Sequence, residues 1–436
     1  MPVVTPTPGS PGAAPSNGAR NYAIVTAAYW GFTLTDGALR MLVLLHFYRL
    51  GYSPFTLAFL FLLYEAMGVV ANLVGGWLAT RYGIARMLAV GLATQILGFL
   101  LLSALSPSWT VALSVAWVVG AQGICGVAKD LTKTSAKSAI KLTAGNAGAG
   151  SGQLFKWVAF FTGSKNAMKG VGFFLGGLLL QGLGFQHSLW LMAALLALVL
   201  IGVVAFVPPL MGKAKASTSA KELFAKSRAI NLLAAARVML FGARDVWFVV
   251  GVPVFLYASG WSFTMVGAFL ALWTIGYGAV QALAPALVRR SDDGLSREVP
   301  AARLWSGLLA LVTLGLAVGV ALLIDAQADA QAPQLQWVVV AGLALFGFAF
   351  AINSSVHSYL ILAYAGTEKA AEDVGFYYAA NALGRFIGTL LSGLLYQWGG
   401  LVYALAGSAL MLTLCWLITL ALPTRPVSVA GSAEPA

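Results

Sequence analysis

Leu189 to Val207 reads LWLMAALLALVLIGVVAFV, nineteen residues without one charged side chain. A helix rises about 1.5 Å per residue and the hydrocarbon core of a bilayer is about 30 Å thick. A run of this length and apolarity therefore reads as a membrane span. Outward from it the same kind of run recurs, giving twelve spans at about 22–46, 55–79, 87–105, 109–129, 157–182, 188–210, 231–258, 264–288, 304–324, 336–364, 376–397 and 402–422. Turn chemistry separates them, as at Gly51-Tyr52-Ser53-Pro54, Ser106-Pro107-Ser108 and Gly399-Gly400. Composition agrees with this pattern. Of 436 residues 60% are hydrophobic and 9% charged, and mean hydropathy is +0.85. A soluble chain carries roughly 25% charged residues because its surface needs them. The classes excluded are soluble enzyme, disordered scaffold and free nucleic-acid binder.

The net charge of +12 is distributed unevenly. Of 26 Lys and Arg residues, nineteen fall in segments on the side of the N-terminus, Arg49 alone falls in a loop on the other side, and six lie inside spans. Basic residues collect in cytoplasmic loops. The expectation is a multi-pass protein of the plasma (bacterial inner) membrane with both termini cytoplasmic. Residues 1–20 lack the basic-then-apolar order of a cleaved signal and read as a disordered cytoplasmic tail, as do 423–436. The two cysteines, Cys125 and Cys415, sit in apolar runs and read as packing residues. They are too few for a disulfide framework or a metal centre. No metal and no cofactor is expected, and no catalytic residue.

The Lys- and Ser-rich stretch 211–230 divides the chain into an N-terminal six-helix bundle, 21–210, and a C-terminal one, 231–422. Internal similarity supports the division. Asp36 precedes Tyr48 by the same twelve residues as Asp245 precedes Tyr257, and Lys169, Gly172, Gly176-Gly177 parallels Arg385, Gly388, Ser392-Gly393. The expected fold is an all-α membrane protein of twelve transmembrane helices in two pseudo-symmetric six-helix bundles.

Between spans two and three, Gly76-Trp77-Leu78-Ala79-Thr80-Arg81-Tyr82-Gly83-Ile84-Ala85-Arg86 resembles the G-x-L-A-D-R-F-G-R-R loop of the major facilitator superfamily. Thr80 stands where that pattern has Asp. The resemblance implies a gating loop with Gly76, Arg81, Gly83 and Arg86. Gly172-Phe173-Phe174-Leu175-Gly176-Gly177 is similar to the superfamily's antiporter signature, with Phe173 in place of Pro. Close helix packing is the other reading of those glycines.

Nine charged residues lie inside spans: Asp36, Arg40, Glu65, Lys165, Lys169, Arg237, Arg244, Asp245 and Arg385. An unpaired charge at mid-helix costs roughly 2.5–3.5 kcal/mol. Three cations are left over after all pairing, which amounts to about 8–10 kcal/mol unless water and an anionic ligand meet them. The charges fall on spans one, two, five, seven and eleven, which line the central cavity in the fold that the resemblance implies. Spans three, six, nine and twelve have none in their interiors.

Asp36/Arg40, Lys165/Lys169 and Asn381/Arg385 are four apart and share a helix face. Two lysines on one face repel, so they suit a phosphate-like group better than structural pairing. The forked guanidinium groups of Arg244 and Arg385 suit a tetrahedral oxyanion. Candidate substrate-binding residues are thus Lys165, Lys169, Arg244, Arg385, Arg40, Asn353, His357 and Asn381. The polar face holding Asn353 and His357 serves either the solute or a neighbouring helix, and Asp36/Arg40 and Arg244/Asp245 read equally as salt bridges. Arg40 and Arg237 lie nearer span ends, where long side chains snorkel. Glu65, Asp36 and Asp245 are the candidates for a coupling proton, with Glu65 first because no basic residue lies near it in sequence. Lys129, Lys133, Lys137 and Lys141 repeat every four residues past span four. They read as an interfacial helix or as a funnel for a cytosolic anion.

A narrower resemblance covers about 20–185. The stretch Leu34-Thr35-Asp36-Gly37-Ala38-Leu39-Arg40, with Ala128-Lys129-Asp130-Leu131-Thr132-Lys133, Lys137-Ser138-Ala139-Ile140-Lys141 and Thr162-Gly163-Ser164-Lys165-Asn166-Ala167, resembles the ArsJ-type organoarsenical efflux permeases. That resemblance implies export of 1-arseno-3-phosphoglycerate by alternating access, arsenate resistance, and a functional link to glyceraldehyde-3-phosphate dehydrogenase. The residues alone point to a small, multiply anionic solute and leave an organophosphate/phosphate exchanger of the same superfamily open. The expected partners are that solute and the lipid bilayer, with no nucleic acid, for a monomer. A membrane protein that transports nothing fits poorly with surplus buried charge, and multidrug efflux of cations fits poorly with its sign.

Overall fold

A computed structural model describes residues 16–82, 84–146, 151–207, 227–288, 291, 295–327, 333–365 and 370–424. These form eleven helices: α1 (Ser16–Arg49), α2 (Pro54–Tyr82), α3 (Ile84–Ser103), α4 (Val111–Asn146), α5 (Ser151–Phe206), α6 (Arg228–Phe248), α7 (Gly251–Ala258), α8 (Phe263–Leu287), α9 (Glu298–Gln327), α10 (Pro333–Tyr364) and α11 (Ala370–Leu420). They make twelve spans because three helical stretches deviate from one helix per span. Helix α5 turns back at Gly184, whose φ of 73° is a conformation open to glycine. Helix α11 does so at Gly399–Gly400, with φ 61° at Gly400. Each therefore supplies two spans. Span seven is instead broken in two. Pro253, in the first turn of α7, has no N–H to offer the Val249 carbonyl, and its ring crowds that position, so α6 ends before Val249 and α7 restarts at Gly251. The freed N–H groups of Val250 and Gly251 donate to Ser392 Oγ on α11, at 3.0 and 3.3 Å.

Helices α6 and α8 begin on serine caps, Ser227 accepting from Ile230 N and Ser262 from Met265 N. Helix α1 already runs at Ser16, so the last part of the expected N-terminal tail is helical, and residues 1–15 lie outside the described residues. Helix α4 continues well past the expected end near 129. The G-x-L-A segment is not a loop: Gly76 and Arg81 lie on α2 and Arg86, exposed, on α3, with Gly83 outside the described residues. The expected linker falls largely on residues 208–226, also outside them.

Helices α1 to α5 pack on one another, and α6 to α11 do likewise. The principal pairings between the two sets are α5 with α8 and α2 with α11. The hydrophobic effect does not drive helices together in lipid, so close approach needs small residues. Gly172 of α5 lies against the Leu34 carbonyl of α1, and Gly388 of α11 against the Gly242 carbonyl of α6, with no room for a Cβ at either. These two sites occupy matching positions in the two halves. Large apolar side chains on α3, the second arm of α5, α9 and the second arm of α11, such as Leu100, Ile201, Leu311 and Leu410, are exposed where lipid would meet them.

Candidate functional site

A cavity of about 330 Å³ lies between the two sets of helices, lined by residues of α1, α2, α4 and α5 on one side and of α6, α8, α10 and α11 on the other. Contacts between the sets close its end farther from the termini. There Tyr48 meets Tyr257 edge-on at 5.7 Å, Thr264 Oγ1 donates to Gln181 Oε1 at 2.7 Å, and Phe55 N donates to Gln397 Oε1 at 3.2 Å.

Charged side chains dominate the lining. Arg40, Lys129, Lys133, Lys165, Lys169, Arg237, Arg244 and Arg385 line it, with Asp36, Glu65 and Asp130. Asp245, fully buried, holds Arg244 at 2.5 Å and Arg385 at 3.1 Å. Eight cations against four carboxylates leave a surplus of four positive charges among the described residues, one more than the sequence count. The extra residues are Lys129, Lys133 and Asp130, expected at the membrane surface and found on the cavity wall because α4 runs on unbroken.

Glu65 is the hub of the pairing. Its carboxylate, 1% exposed, accepts from Arg40 and from Arg385 Nη2 at 2.7 Å, and Lys129 Nζ lies 3.6 Å away. The reason for ranking it first as a proton carrier is thereby removed: its cations are distant in sequence but adjacent in space. Arg385 joins Glu65 of α2 to Asp245 of α6, so one guanidinium ties the two halves together. The expected Asp36–Arg40 pair does not form. Arg40 turns to Glu65, and Asp36 accepts from Tyr64 Oη at 2.5 Å. Asp36 makes no salt bridge among the described residues.

Two cavity cations have no carboxylate within salt-bridge distance among the described residues. Lys169 has its ammonium 5.7 Å from the Phe173 ring. Arg237, 4% exposed, donates from Nε to Asn381 Oδ1 at 3.1 Å and from Nη1 to the Ser354 carbonyl at 3.1 Å and its hydroxyl at 3.3 Å. Phe241 and Tyr377 flank it at 4.0 and 4.9 Å. Its Nη2 is the nitrogen that makes no bond to the described protein. Arg237 was read from sequence as a snorkelling residue, and its position seven before Arg244 on one helical face was the signal that it points inward with it.

Asn353 and His357 do not line the cavity. Both are fully buried, and Asn353 bonds Ser306 of α9 at 3.0 Å, so the polar face of α10 ties two helices together at that position. Asn381 lines the cavity through its bond to Arg237. The side chains of Lys137 and Lys141 lie outside the described residues. Cys125 and Cys415 are free and buried. No group of three or more metal-ligating side chains occurs among the described residues.

The sequence model of the Major Facilitator Superfamily matches residues 22–329. The chain belongs to the major facilitator superfamily. It is thus a multi-pass membrane transporter, of a family whose members move solutes rather than transform them. Solved structures of the superfamily share its fold. The nucleoside transporter NupG, in a point-mutant form, superposes with a TM-score of 0.70 at 15% identity, covering 93% of this chain and 99% of that one. The D-xylose–proton symporter gives 0.68 at 13% over 93% and 98%. The human organic anion transporter MFSD10 gives 0.63 at 17% over 92% and 99%. No protein of curated function matches this sequence. At these identities the neighbours share a scaffold, and their named cargoes differ, so the cargo of this superfamily member must be argued from its own cavity.

Proposed function

We propose that this transporter exports a small, multiply anionic organoarsenical, 1-arseno-3-phosphoglycerate, from the cytoplasm by alternating access. It would thereby confer resistance to arsenate in the bacterial inner membrane, with both termini cytoplasmic. The observation that carries the reading is the pair Lys169 and Arg237. They sit on opposite halves, face one cavity, and have no carboxylate within salt-bridge distance among the described residues. A buried cation without a partner is costly, and a solute with an anionic group at each end would satisfy both. A volume near 330 Å³ is at the small end of ligand sites, which suits a three-carbon ester. The resemblance of residues 20–185 to the ArsJ-type permeases supplies the arsenic.

Arg385 links binding to movement in this proposal. The solute's oxyanion competes with Glu65 for the guanidinium and so weakens the tie between the halves. Asp36, bonded to a hydroxyl and to no cation among the described residues, takes over from Glu65 as the first candidate for a coupling proton.

Everted membrane vesicles containing the protein test the proposal. They are given arsenate, glyceraldehyde 3-phosphate and NAD, with or without glyceraldehyde-3-phosphate dehydrogenase. Arsenic should accumulate inside only when both the dehydrogenase and the transporter are present. Arsenic uptake independent of the enzyme, or none, refutes it. Exchange of 3-phosphoglycerate for internal phosphate, with no arsenic uptake, would establish the organophosphate exchanger instead.

A further inference from the structure

Much of the remaining cavity lining is aromatic. Phe241 and Phe248 of α6 and Trp273 and Tyr277 of α8 face the same space as the cations. Their rings are continuous. Phe248 and Trp273 lie 5.2 Å apart, and Trp273 and Tyr277 stack at 5.8 Å with planes 5° apart. Trp273 is 8% exposed and its N–H is already spent on the Leu343 carbonyl at 2.7 Å, so the edge that it shows the cavity is carbon. Both unneutralised and paired arginines sit at one end of this wall, Arg237 at 4.0 Å and Arg244 at 5.0 Å from the Phe241 ring. Among the described residues Trp273 and Tyr277 make no cation–π contact with either arginine; Trp273 packs on Trp247, while Tyr277, half-buried beside Phe350, carries the more open ring surface. Ring surface facing a wet cavity is unfavourable until something apolar covers it.

We propose, resting on the anion-transport reading above, that the cavity also binds aromatic oxyanions. In these a flat ring is joined directly to a phosphonate- or arsonate-type group. The ring lies on Phe248, Trp273 and Tyr277, and the oxyanion is held at the Arg237 end. Offset stacking and edge-on contact favour such a ring over an alkyl group of equal charge.

Binding of phenylphosphonate and methylphosphonate to the purified full-length protein in lipid nanodiscs, by calorimetry, tests this. The two probes carry the same charge and differ in the ring. Phenylphosphonate should bind about tenfold more tightly, and Tyr277→Leu and Trp273→Leu should each erase that ratio. Tyr277 is half-buried at the cavity edge, so its variant keeps the test open where Trp273→Leu fails to fold. Equal binding of the two probes by the unaltered protein overturns the aromatic subsite and leaves the anion site standing. A ratio that persists in both variants overturns it too, because the ring then lies elsewhere. Failure of both probes to bind overturns the anion reading, and the subsite with it.

Discussion

Replacing Lys169 by methionine removes a charge while keeping most of the length of the side chain, and the structure predicts opposite effects on stability and transport. The ammonium has no carboxylate within salt-bridge distance among the described residues; Arg385 and Arg40 repel it, and Asp36 and Glu65 attract it from farther off. An unpaired lysine at mid-membrane costs roughly 2.5–3.5 kcal/mol, and hydration from the cavity offsets part of that. Lys169→Met should therefore stabilise the ligand-free protein by about 1–2 kcal/mol. The same change deletes a charge-assisted bond to the solute, of about 1.5–3 kcal/mol, and so lowers affinity by roughly 10- to 150-fold. The assay is the heat-aggregation midpoint of the detergent-purified protein, measured with and without 3-phosphoglycerate as a stable probe. Without the probe the variant should melt higher than the unaltered protein. At about 100 times the dissociation constant the unaltered protein gains about 2.7 kcal/mol and the variant only about 0.3–1.4 kcal/mol, so the variant's lead should shrink by about 1.3–2.4 kcal/mol. A variant that melts lower without the probe would refute the reasoning, since Lys169 would then be structural. So would undiminished vesicle uptake.

Glu65→Gln should cost about 3–5 kcal/mol of stability, because it leaves Arg40 with no carboxylate among the described residues and Lys129 with Asp130 alone. Arg385→Gln should cost less in the same melting assay, since Glu65 keeps two cations and Asp245 keeps Arg244. Equal losses would contradict this network. Asp36→Asn should abolish the pH dependence of vesicle uptake while Glu65→Gln retains it, and the reverse result would return the proton to Glu65.

The spans were legible in the sequence because bilayer thickness fixes their length and apolarity, and the positions of the buried charges were legible for the same reason. Their pairing was not. Arg385 and Glu65 are 320 residues apart, and helical spacing offered Arg40 the wrong carboxylate, Asp36, because i,i+4 neighbours compete with other helices that sequence does not display. Hydropathy ends span four near Lys129, on the rule that lysine lies where the apolar run gives way to water. Glu65 and Asp130 make that rule fail, since both carboxylates receive Lys129 inside the fold. The two roles open for the polar face of α10 were settled at Asn353 only by the presence of Ser306 opposite it.

The interruption of span seven at Val249 and Val250 has a mechanical consequence. Ser392 lends its hydroxyl to the two amide groups orphaned there, so the short outer piece is riveted to α11, and the longer inner piece, which carries Arg237 and Arg244, is bound to the same helix through Asn381, Arg385 and Ser408. A tilt of α11 then carries the roof of the vestibule and its floor of guanidinium groups together. The lid and the grip of that half travel as one body.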